Sequence, residues 1–105
     1  MEIRLDRGGF RLLDASNFRA FKLVDASGFD QARVAALVSA IGRLEPDGSH
    51  AWLRRASIVG LLAPPPSGEW LEKFDRMIEG ARKFGWVDDD RDMIRAHVDR
   101  AAAGA

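Results

Sequence analysis

No cysteine occurs anywhere in this chain, and that bounds its architecture more than any motif it carries. A disulfide framework, a thiolate nucleophile, a zinc knuckle and iron–sulfur ligation are all excluded. The fold must be held by packing, and 105 residues are enough for one core in a single domain, 1-105. They are too few for a doubly wound nucleotide fold with a second domain. The 16 basic residues equal the 16 acidic ones. That balance argues against nucleic-acid binding by bulk electrostatics and against polybasic attachment to a membrane. No uncharged apolar run has the length of a signal peptide or a membrane span. Together with the missing disulfides, this sets the expectation of a cytoplasmic protein with no membrane or nucleic-acid partner. Arginine far outnumbers lysine and alanine is abundant, the composition of a GC-rich bacterial genome.

Hydrophobic periodicity sets the expected elements. Ile3 and Leu5 alternate with Glu2, Arg4 and Asp6, the period of a half-buried strand. Gly8-Gly9 suits a tight turn, and Phe10 to Leu13 returns as its partner. After the turn formers Asp14 to Asn17, Phe18 to Val24 is the best strand candidate, covered on both sides. Residues 1-28 are thus expected to be strands. Ser27 reads as the cap of an amphipathic helix over 29-44, with Val34, Leu37, Val38, Ile41 and Leu44 as its stripe. Glu45-Pro46-Asp47-Gly48 ends it in a turn.

The span 49-63 has two readings. Ala51-Trp52-Leu53 is either a strand followed by a short helix capped by Ser57, which the Asp-Gly turn favours, or part of one helix capped by Ser49. Pro64-Pro65-Pro66 is a rigid stop. Residues 67-102 are expected to form a helical hairpin. Its first helix is capped by Ser67, with Trp70, Leu71, Phe74, Met77, Ile78 and Ala81 as its stripe. Gly85 takes the left-handed cap position, with an apolar contact at Trp86. Asp88-Asp89-Asp90 then restarts a helix whose face holds Met93, Ile94, His97, Val98 and Ala101. Residues 103-105 are expected to fray. The expected fold class is α+β: a small, mostly antiparallel sheet made of the N-terminal hairpin plus one or two further strands. It packs against the amphipathic helix and the C-terminal helical hairpin.

Few residues carry chemistry. There is no phosphate-binding glycine motif, and Gly8-Gly9 lies between strands rather than before a helix. No nucleophile elbow surrounds any serine. Ser49 and His50 are adjacent, but neighbours in sequence rarely point at each other. No histidine spacing suits a metal, and Asp88, Asp89, Asp90 and Asp92 lack the rest of a calcium loop, so capping explains them better. No metal and no cofactor is expected. A helix-turn-helix around Gly85 is disfavoured, because its second helix would open on three aspartates that repel phosphate.

His97 is the one weak catalytic candidate. On an apolar helix face it is more simply a hydrogen-bonded core-edge residue. At a pocket mouth it would be a natural general acid or base. Trp52 beside Arg54 and Arg55 is the least explained cluster. The plain reading is a half-buried strand with solvated arginines; the others are a protein interface or a site for an anionic, planar ligand.

Two functions follow from this reading. One is a non-catalytic interaction module that self-associates or docks on a protein partner, completing the apolar surface that so short a chain leaves uncovered. The other is a small ligand-binding protein or enzyme, with His97 as acid/base and Arg54 or Arg55 holding an anion.

Overall fold

A computed structural model describes residues 1–101. The expected frayed tail, 103-105, lies outside them. Among the described residues seven strands and three helices follow one another: β1 (Glu2–Asp6), β2 (Gly9–Leu13), β3 (Lys22–Asp25), α1 (Gln31–Val38), β4 (Gly42–Leu44), β5 (His50–Arg54), α2 (Arg55–Gly60), α3 (Gly68–Arg82), β6 (Val87–Asp88) and β7 (Met93–Arg100). All seven strands join one sheet in the order β2-β1-β3-β7-β5-β4, with β6 pairing β7. The sheet curls into a half-barrel.

This corrects the expected fold class in two respects. The sheet is mixed: β3 runs parallel to β1 on one side and to β7 on the other, beside the antiparallel pairs β1/β2, β4/β5, β5/β7 and β6/β7. Among the described residues there is also no C-terminal helical hairpin of the kind expected over 67-102. Only its first half is helical. The second half is the β6–β7 hairpin, and β7 lies in the middle of the sheet.

The physical reason lies in a pattern that satisfies two periods. Met93, Ile94, His97, Val98 and Ala101 fit helical spacing, but Ile94, Ala96 and Val98 also alternate. In β7 these last three are buried, while Arg95, His97 and Asp99 turn to the other face. The aspartates ahead of it shape a turn instead of capping a helix. Asp88 accepts from the Arg91 backbone N–H at 3.2 Å, and Asp92 takes a left-handed φ of 54°.

The first helix is shorter than expected. Asp30, not Ser27, caps it, accepting from the Arg33 N–H at 2.8 Å. Ser27 is buried in the preceding turn and donates to Asp25 Oδ1 at 2.6 Å. The helix stops at Val38, and Ile41 and Leu44 belong to the next turn and strand. Gly42 explains the strand: a Cβ there would lie 1.8 Å from the Trp52 carbonyl oxygen, so only glycine lets β4 lie this close to β5. Over 49-63 the chain is a strand and then a short helix, and no serine side chain caps that helix. The strand expected over Phe18 to Val24 is confined to Lys22–Asp25.

The core lies between one face of the sheet and the helices. Ile3, Leu5, Leu23, Ala51, Leu53, Ile94, Ala96 and Val98 come from strands; Val34, Val38, Ile58, Phe74 and Ile78 come from helices. Helix α3 starts as its sequence implies, with Ser67 Oγ accepting from the Trp70 N–H at 3.1 Å. The turn that follows it closes at Gly85, φ 76°, with Trp86 N–H donating to the Ala81 carbonyl at 3.3 Å and Gly85 N–H to that of Arg82 at 3.1 Å. This is the Schellman arrangement.

Candidate functional site

The face of the sheet turned away from the core is polar, and two adjacent strands concentrate its chemistry. In the antiparallel β5/β7 pair, His50 lies directly opposite His97 and Trp52 opposite Arg95. Directly opposed side chains on one face meet, and the two imidazoles do so edge to face, with centroids 5.5 Å apart. The side chain of His50 is 30% exposed and that of His97 59%.

Each ring is held from behind. His97 Nε2 lies 2.8 Å from Asp99 Oδ1. The imidazole and the carboxylate form an ion pair when the ring is protonated. His50 Nδ1 lies 2.9 Å from Ser49 Oγ, whose single proton goes to Asp47 Oδ1, also at 2.9 Å. Ser49 therefore accepts from His50 Nδ1–H, and Nε2 is the unengaged nitrogen. Adjacent Ser49 and His50 thus do point at each other, contrary to the sequence-based expectation. The turn before β5 brings Ser49 Oγ beside the ring, with Ser49 N–H also donating to Asp47 at 3.0 Å. Those Ser49 contacts, backbone first and then hydroxyl, hold the Asp47 carboxyl below its ordinary range.

Glu45 ties this turn to β7. Its two carboxylate oxygens accept from Arg95 Nε at 3.1 Å and Nη2 at 3.0 Å, a forked charge-assisted pair. Trp52 Nε1 donates to the same carboxylate at 3.2 Å, and His50 Nδ1 stands 3.7 Å away. The Arg95 hydrogen bond is the main reason the Glu45 carboxyl lies below its ordinary range. The same bond raises the Arg95 guanidinium.

Beside this cluster the sheet has a gap. On the side of β7 away from β5, β6 pairs with Met93 and Ile94, and β3 pairs only from His97 onward. Between them Arg95 N–H reaches the Trp86 carbonyl at 2.8 Å. A cavity of about 490 Å³ opens here, within the roughly 300–1,000 Å³ range of small-molecule sites. Its lining draws on both faces of β7: Ile94 from one, Arg95 and His97 from the other, with His50 alongside. Helix α3 adds Met77, Gly80 and Ala81; the segment after it adds Phe84 and Trp86; the segment before β3 adds Phe18, Arg19 and Phe21. Phe84 and Trp86 stack at 4.7 Å and are 68% and 42% exposed.

The sequence-based candidates separate in space. His97 lines the cavity, while Arg54 and Arg55 do not. Arg54 Nη1 donates to the Ala40 carbonyl at 3.2 Å, and Arg55 pairs with Asp75. Trp52 has Arg43 over its ring at 5.7 Å, rather than either expected arginine. The guanidinium groups at the cavity are Arg19 and Arg95. His50 was missed as the partner of His97. Only the register of β5 on β7 joins them, though the alternation Ile94, Ala96, Val98 was a signal that His97 belonged to a strand. Among the described residues no three His, Asp or Glu side chains gather to hold a metal ion, and no helix is long and apolar enough to cross a membrane. No protein-family model, curated protein or solved structure matches this chain.

Proposed function

We propose that this protein binds a small molecule in the cavity beside β7, with His50 and His97 exchanging hydrogen bonds or protons with its polar end. The observation that carries this reading is the cross-strand imidazole pair. Two rings 5.5 Å apart are each held by one nitrogen against a carboxylate or a carboxylate-bound hydroxyl. Both residues line a half-open, largely apolar space. Rings oriented from behind in this way are what recognition or proton transfer requires.

Ligand-observed NMR with a fragment mixture tests the reading, comparing the wild type with Gly80→Leu. Gly80 lines the cavity and has open space where a Cβ would stand, so leucine occupies the space and suits the helix. Binding is expected in the wild type and is expected to vanish in Gly80→Leu. Equal binding by both proteins would place the ligand elsewhere and end the proposal.

A second reading is favoured by one observation, the exposed Phe84–Trp86 stack. Large aromatic side chains at a surface are typical interface anchors, and they fit an interaction module that self-associates or docks on a partner. Sedimentation velocity over a concentration series decides the self-association part. A strict monomer at the highest concentration removes it, and a dimer lost in Phe84→Ser supports it.

A further inference from the structure

The cavity does not end at the imidazole pair. It shares Phe18, Arg19 and Met77 with an open groove of about 710 Å³ along the outer side of α3. That groove adds Lys73 and Arg76, together with Ser16 and Asn17. Among the described residues no carboxylate lines either space. In a chain of zero net charge, two adjoining spaces whose charged lining residues are all arginine or lysine are a local concentration of positive potential. Lys73 is paired with Glu69 at 3.2 Å and Arg95 with Glu45. Arg19 and Arg76 take part in no ion pair among the described residues. The apolar part of the cleft is walled by rings, Phe18, Phe21, Phe84 and Trp86, which favour a flat partner that can stack.

Resting on the small-molecule reading above, we propose that the ligand is a flat aromatic anion. Its ring system lies among the phenylalanines and Trp86, a polar group at one end faces the imidazole pair, and a carboxylate or phosphate at the other end meets Arg19 and Arg76 in the groove. Planar guanidinium groups that form no ion pair among the described residues suit either anion through forked hydrogen bonds.

Two fluorescent probes of similar shape test this: the anion 8-anilinonaphthalene-1-sulfonate and its neutral relative N-phenyl-1-naphthylamine. Wild-type protein is expected to bind the anion saturably at one site. The double variant Arg19→Gln/Arg76→Gln is expected to weaken the anion by about tenfold or more while leaving the neutral probe within about twofold. An unchanged anion affinity, or equal losses for both probes, overturns the anion part. Competition separates the remaining chemistry. Displacement by 2-naphthoate or by 2-naphthyl phosphate supports the proposal and tells carboxylate from phosphate, whereas stronger displacement by decanoate overturns the flat-ligand part. Failure of the anionic probe to bind the wild type overturns the proposal while fragment binding stands. Probe binding that survives Gly80→Leu instead removes the cavity reading beneath it.

Discussion

The two faces of β7 obey different rules. On one, Ile94, Ala96 and Val98 lie buried against α3 and the neighbouring strands. On the other, Arg95, His97 and Asp99 carry ion pairs and the imidazole contact. One strand thus presents an apolar and a charged face through alternate residues. Changes on the first face should cost folding free energy, and changes on the second should cost recognition with little effect on the fold. The largest effect is expected at Phe74 of α3, fully buried, stacked on Trp70 and part of the same core cluster as Ile94, Ala96 and Val98. Phe74→Ala should destabilise by about 3–5 kcal/mol, read from the midpoint of urea unfolding. A loss under about 1 kcal/mol would mean that α3 is not held through this ring, and the contrast between the faces would fail.

Glu45 tests the polar side. Its folded pKa lies below the ordinary value of 4.5, chiefly through the Arg95 hydrogen bond. The ionised form is therefore the one the fold prefers. The stability it adds is fully present above the unfolded value and is lost as pH falls through the lower folded value. Glu45→Gln should accordingly be less stable than the wild type at neutral pH, by less than Phe74→Ala. The difference should begin to shrink as pH falls below about 4, the ordinary glutamate range, and close only below the lower folded value. Parallel thermal melts across pH read it directly; a gap that persists undiminished at pH 2 would show that the carboxylate charge is not what Arg95 and the turn rely on.

The same contrast explains what could be read from the sequence. The β1–β2 hairpin, the Ser67 cap, the α3 stripe and the left-handed Gly85 depend on residues close in sequence, and their signals stood in the chain. β7 did not read clearly, because Ala96 is too small to announce alternation while Met93, Ile94 and Val98 also fit a helix. Its place at the sheet centre, between β3 and β5, is a long-range outcome that overrides local preference. Parallel pairing of β1, β3 and β7 leaves no local mark at all. The site suffered most from this. His97 was visible as an isolated candidate, but its partner His50 becomes one only through the β5/β7 register, and Arg19 only through the segment ahead of β3. The Trp52, Arg54 and Arg55 cluster looked joined because the residues are neighbours in sequence. The strand ends at Arg54, and the following helix carries Arg55 toward Asp75 instead.

Gly80 gives the smallest effect and the finest test of how fold and cavity are divided. It lies inside α3, where glycine costs backbone entropy that alanine does not, and a Cβ there meets nothing within 4 Å. Gly80→Ala should stabilise the protein by about 0.5–1 kcal/mol, measured by urea unfolding. A single methyl group also leaves most of a cavity of about 490 Å³ open, so ligand binding should survive in Gly80→Ala and fail in Gly80→Leu. The helix gains in both variants, and only the larger side chain takes the ligand's space. If alanine destabilised the fold, the room beside α3 would already be occupied by the protein's own side chains, and the cavity would not be available to a ligand.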